Sequence, residues 1–185
     1  MHFLHNYLQQ AGRVFTDLAP RVSQPMAETL RQELSSNGPE DVTAVFLPPV
    51  RDEDRIQVRR VGALLYTPAV LPRWGDELRY LGTVDAAVPV RTAARAARLC
   101  VHNILALLEE ELGSLDRVRQ VEQLNILVRC SQGFLSPGRV ADGASDALYQ
   151  ALGERGRHRR SVVETDELPD GAPVQVSAIF RVDTD

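Results

Sequence analysis

Gly153-Glu154-Arg155-Gly156-Arg157-His158-Arg159-Arg160-Ser161-Val162-Val163-Glu164, then Leu168-Pro169, then Ala172-Pro173-Val174-Gln175-Val176, is the stretch on which the fold turns. It reads as a helix end, a basic connection and two strands. Gly153 closes the amphipathic segment 139–152, because glycine accepts the left-handed backbone that ends helices. Residues 158–165 and 173–182 read as the last two strands, the second alternating apolar and polar positions over Val174 to Ala178, the period of a half-buried strand. Residues 166–171 between them (Asp-Glu-Leu-Pro-Asp-Gly) carry turn chemistry. Taken alone, the basic run 157–160 is a solvated turn, since charged clusters are mostly exposed. An arginine at the root of a strand also makes a carboxylate clamp, because its planar fork of donors matches two oxygens at once.

Working outward, the strongest helix spans 89–112. Pro89 fits a first turn and Gly113 a C-terminus. Ala93, Ala96, Ala97, Cys100, Ile104, Leu107 and Leu108 form its apolar stripe. Residues 118–129 read as a long strand. Residues 56–67 read as strand with Gly62 as a turn or bulge, 71–76 as a loop, and 78–84 as another short strand. Earlier still, 1–18 and 25–34 read as helices and 42–47 as a strand, forming an N-terminal extension over 1–54 ahead of a domain over 55–185. Short strands around two helices predict an α+β fold with one sheet face covered, and the open face predicts a homo-oligomer.

Composition prunes the chemistry. All 21 cations are arginine. Lysine Schiff bases and a P-loop lysine are therefore excluded. The arginine bias is what a GC-rich genome leaves, and a bacterial source is expected. The net charge of −4 argues against nucleic acid and anionic membrane as partners. No apolar run approaches the roughly 20 residues of a membrane span. Residues 1–11 lack a basic start and apolar core, so they do not read as a signal peptide. Two cysteines, Cys100 and Cys130, suit a reducing, cytoplasmic setting. His2, His5, His102 and His158 show no metal-ligand spacing, so no metal site is expected.

From about Arg55 to Val182 the chain resembles the RidA/YjgF family of reactive-intermediate imine deaminases. The resemblance rests on Arg160-Ser161 after the second helix, on Leu168-Pro169 with the strand from Ala172 to Val176, and on the helix from Ala93 to Asn103. Gly113-Ser114-Leu115-Asp116-Arg117-Val118, Gly133-Phe134 and Asp142-Gly143-Ala144-Ser145-Asp146 add to it. It implies a chorismate mutase-like sheet with two helices on one face, and a homotrimer around a central β-barrel. Clefts between its subunits would bind small carboxylates. It implies hydrolysis of 2-imino or 2-enamino acids without metal or cofactor.

On that resemblance Arg160 grips the substrate carboxylate. Pro68-Ala69-Val70 replace a Ser-Gly-Gln segment, with Pro72 kept. Arg55 stands where an early tyrosine is usual, Asp142 where an asparagine is, and Gln175 where a water-orienting glutamate is. Gln175 can hydrogen-bond a water but cannot take its proton. The candidate catalytic groups are Gln175 and Glu164, and the candidate substrate-binding groups are Arg160, Arg55, Asp142 and Cys130. Glu164 and Asp166 also read as solvated turn charges, and Cys130 as a small semi-buried residue near the cleft rim. Cys100 reads as packing, and His102 as a satisfied histidine. The altered set fits a specialised enzyme, such as one of a biosynthetic pathway, or a ligand-binding protein that kept the anion site.

Overall fold

A computed structural model describes residues 58–74 and 77–184. The expectations for 1–18, 25–34, 42–47 and Arg55 lie outside the described residues. A hairpin, β1 (Arg59–Val61) and β2 (Leu64–Tyr66), turns at Gly62 with φ 59°. A two-residue ribbon follows, β3 (Arg73–Trp74) with β4 (Glu77–Leu78). Then come α1 (Val90–Leu112), β5 (Val118–Arg129), α2 (Pro137–Leu152), β6 (Arg159–Thr165) and β7 (Val174–Val182). The main sheet runs β1-β2-β7-β5-β6. Only β5 and β6 are parallel, joined by the α2 crossover; the other pairs are antiparallel. The molecule is thus α+β, as the pattern predicts.

The core follows from period 2. Val121, Leu124, Ile126 and Val128 of β5 and Val174, Val176, Ala178, Phe180 and Val182 of β7 are buried. Leu124 pairs with Ala178 and Ile126 with Val176, so these residues share the face that meets the helices. α1 packs on β7, α2 on β5 and β6, and the two helices on each other. The helices meet at Gly143, where a Cβ would lie 2.0 Å from the Ala94 carbonyl oxygen. Any side chain there forces them apart. α1 ends where Gly113, at φ 76°, donates its N–H to the Glu109 carbonyl at 2.8 Å.

Residues 79–84 depart from the expected strand. Arg79 bonds Pro72, Gly82 bonds Gly171, and Val84 bridges Cys130. These are single ties to three different segments, and a strand needs a ladder along one partner. The opposite sheet face carries Tyr66, Leu127, Ser161, Val163, Gln175, Ser177 and Ile179, half-buried or exposed. Val163 is 52% exposed, a large apolar side chain on an uncovered face.

Candidate functional site

β6 is the edge strand of the sheet, and its pairing with β5 decides where each arginine points. Arg160 lies opposite Leu124, and Arg159 opposite Gln123. Leu124 is a core residue on the helix side, so Arg160 is directed toward α2 while Arg159 and Ser161 take the other face. Two residues one turn apart on α2 receive it. The Arg160 Nη1 donates to Asp142 Oδ1 at 2.8 Å and to Ser145 Oγ at 3.1 Å. The ion pair is accessible, with side chains 32% and 57% exposed.

The contact chain continues. Ser145 Oγ lies 3.1 Å from His158 Nε2, and His158 Nδ1 lies 2.7 Å from the Gly156 carbonyl. A carbonyl only accepts, so Nδ1 carries the hydrogen. In the neutral ring Nε2 then accepts from the Ser145 hydroxyl, whose oxygen accepts from Arg160. Gly156 sits in a turn so tight that a Cβ would be 2.4 Å from the Leu148 carbonyl oxygen. Helix end, turn and strand start are therefore locked together around Arg160. Gly138, at the start of α2, lies beside the guanidinium: a Cβ there would come 3.9 Å from Arg160 Nη2.

Of the described residues expected at the site, the structure joins Arg160 with Asp142 and separates Glu164, Cys130 and Gln175 from them. Glu164 lies four residues along β6, about 13 Å away at strand rise. It sits beside Cys130, whose N–H donates to the Thr165 carbonyl at 3.2 Å. Burial, together with the carboxylates of Glu164, Asp166 and Asp85, pushes the Cys130 thiol up from its ordinary range. A thiol held protonated is a poor nucleophile. Gln175 pairs with Leu127 and lies on the opposite sheet face, with β5 between its strand and β6. Within one chain neither Gln175 nor Glu164 reaches Arg160: the register sends the first through the sheet and sets the second along the strand.

Residues 68–72 run beside β7. Val70 and Val176 exchange both backbone bonds, at 2.7 and 2.9 Å. Asn103 of α1 ties this segment down, its Nδ2 donating to the carbonyls of Leu71 and Arg73 at 3.4 and 3.0 Å. Its Oδ1 and the Nε2 of neighbouring His102 are buried with no hydrogen-bond partner among the described residues. His102 is therefore not the satisfied histidine expected. Burial, with a smaller contribution from Arg98, lowers it to about 4. Cys100 is fully buried in the α1 stripe, as expected. Sequence reasoning missed Ser145 as an Arg160 partner, although its spacing of three from Asp142 on one helix face carries that signal.

Among the described residues no helix is long and apolar enough to cross a membrane. Comparison with known proteins places this geometry. Protein TCP17 of Trypanosoma cruzi is 38% identical over 122 residues, covering 65% of this chain and 76% of that one. The crystal structure of protein Atu1372 from Agrobacterium tumefaciens is 34% identical, with TM-score 0.72, over 86% of this chain and 96% of its own. A putative endoribonuclease from Shewanella oneidensis is 27% identical, with TM-score 0.68, over 73% and 89%. The family model "YjgF/chorismate_mutase-like, putative endoribonuclease" matches residues 54–177. That description names a ribonuclease, so the exclusion of nucleic acid drawn from net charge is not upheld. With a matching sheet, helix pair and sequence, the chain belongs to the YjgF/chorismate mutase-like family, the RidA/YjgF family that its residues resemble.

Proposed function

We propose that this chain is a RidA-like small-molecule protein that takes an imine- or enamine-type carboxylic acid at Arg160. Hydrolysis by a positioned water is the reaction we assign to it. The observation that carries this reading is the placement of Arg160. It is oriented by Asp142 and Ser145, yet its side chain reaches solvent at the edge strand. A fixed guanidinium costs a ligand carboxylate little orientation entropy. The site is completed in this reading by a neighbouring copy in a homotrimer, which also covers the open face bearing Val163 and Tyr66. Gln175 on that face would then serve a cleft shared between copies. The test is a coupled assay on 2-aminoacrylate. Wild type should release 2-oxo acid above the uncatalysed rate and Arg160→Ala should not. Equal rates sink the proposal. A solution mass other than three times the 20.5 kDa chain sinks the trimer.

One observation favours a second reading, a ligand-binding protein without turnover. Among the described residues the carboxylate that meets Arg160 is that of Asp142, while Gln175 points through the sheet and Glu164 lies along the strand. Under that reading 2-oxo acids raise the melting temperature in an Arg160-dependent way while 2-aminoacrylate decays at its uncatalysed rate. Cleavage of a labelled single-stranded RNA that survives Arg160→Ala would point away from both readings.

A further inference from the structure

We propose that Asp142 makes the Arg160 anchor selective for small carboxylates that carry a positive nitrogen on the carbon next to the carboxyl group, with Ser145 and His158 as positioning residues. The inference rests on the reading of Arg160 as the carboxylate anchor and adds which carboxylates it admits. Asp142 Oδ1 already occupies Nη1 at 2.8 Å. A plain carboxylate arriving at the guanidinium meets this second negative group and is opposed by it. A ligand with an ammonium or comparable cation beside its carboxylate offers each member of the pair its own opposite charge.

Such an exchange is cheap because both side chains are solvent-accessible, and exposed ion pairs are weak. Arg160 does not lose its orientation when Asp142 turns to the ligand. Ser145 Oγ still holds Nη1 at 3.1 Å, and His158, fixed by the Gly156 carbonyl, holds the Ser145 hydroxyl. The Arg160 side chain is 32% exposed, and the residue beside its Nη2 is Gly138, which brings no side chain there. Asp142 is thus a specificity-determining residue. Ser145 and His158 act on the ligand only through Arg160.

The experiment is a titration of the full chain, followed by NMR, with L-alanine and with L-lactate, which differ at the nitrogen. Wild type should bind alanine about ten-fold more tightly than lactate, as expected for one added charge contact. Asp142→Asn keeps an acceptor for Nη1 but removes the charge. It should bring the two ligands within about two-fold, by tightening lactate and weakening alanine. Ser145→Ala should weaken both ligands equally, and Ser145→Thr, which keeps the hydroxyl, should restore them. Opposite movements of two ligands cannot come from partial unfolding. If neither ligand binds in an Arg160-dependent manner, the anchor reading itself fails. If both bind through Arg160 but wild type does not discriminate, or Asp142→Asn leaves the ratio unchanged, the selectivity inference alone is overturned. An equal effect of Ser145→Ala and Ser145→Thr overturns the positioning role.

Discussion

The two ends of β6 hold opposite chemistry within seven residues of chain. At its start Arg160 is satisfied by Asp142 and Ser145, remains accessible, and is backed by His158. At its end Glu164 stands with Asp85 and Asp166 around the buried Cys130. Both ends are made of titratable groups, yet of Arg160, Glu164 and Cys130 only Arg160 is both held by side-chain partners and reachable. The second keeps its thiol out of water and surrounded by negative charge, which favours the uncharged form. The difference teaches that clustering of reactive residue types is a weaker sign of a site than orientation combined with access.

The comparison breaks first if the fold beneath both ends fails, and the largest expected effect is there. His102 is neutral and buried, with its folded value lowered to about 4 from 6.5. The unfolded chain therefore binds the proton first. Its contribution is fully present above pH 6.5 and is lost as pH falls toward 4. At about 1.4 kcal/mol per pH unit this amounts to about 3 kcal/mol. Urea unfolding from pH 7 to 4 should show that slope. His102→Leu should flatten it, and an unchanged slope would place the loss elsewhere.

The next effect sharpens the comparison at the anchor. Arg160→Lys keeps the charge but removes the fork, and should weaken 2-oxo acid binding about ten-fold, or 1.4 kcal/mol. Melting temperature should hold, because an exposed ion pair contributes about 0–1 kcal/mol. Calorimetric titration beside a thermal melt reads both. The smallest effect belongs to the other end. Glu164→Gln should leave ligand affinity within about two-fold, given strand separation. It should speed iodoacetamide alkylation of Cys130 and move the pH midpoint of that reaction down, since one of the charges raising the thiol is gone. A loss of ligand affinity in Glu164→Gln would merge the two ends into one site.

The elements from 90 onward are legible in the sequence to within two residues, because their apolar period is strong and Gly113 and Gly153 stop the helices. The run Leu78-Arg79-Tyr80-Leu81-Gly82-Thr83-Val84 has similar alternation but misleads. Gly82 adopts φ 115° and each neighbour bonds a different segment, which no local pattern records. Arg160 itself is legible from its place after a helix and before a strand. The side of the sheet on which Gln175 lies is not. Side-chain parity is local, but matching the parity of β6 to that of β7 requires their registers with β5, a long-range property. The Cys130 environment is hidden for the same reason, since Asp85 and Glu164 reach it from distant positions in the chain.

The alternation of Arg159 and Arg160 across β6 has an evolutionary corollary. One residue inserted into the connection that leads into the strand would move Arg159 into the place opposite Leu124. An arginine would then replace an arginine on the side facing Asp142, while the turn over 166–171 absorbs the extra length. A doubled arginine at this point keeps an arginine on the anchor side through a one-residue shift of register. A lone arginine in the same strand would be lost to the far face by a single inserted codon.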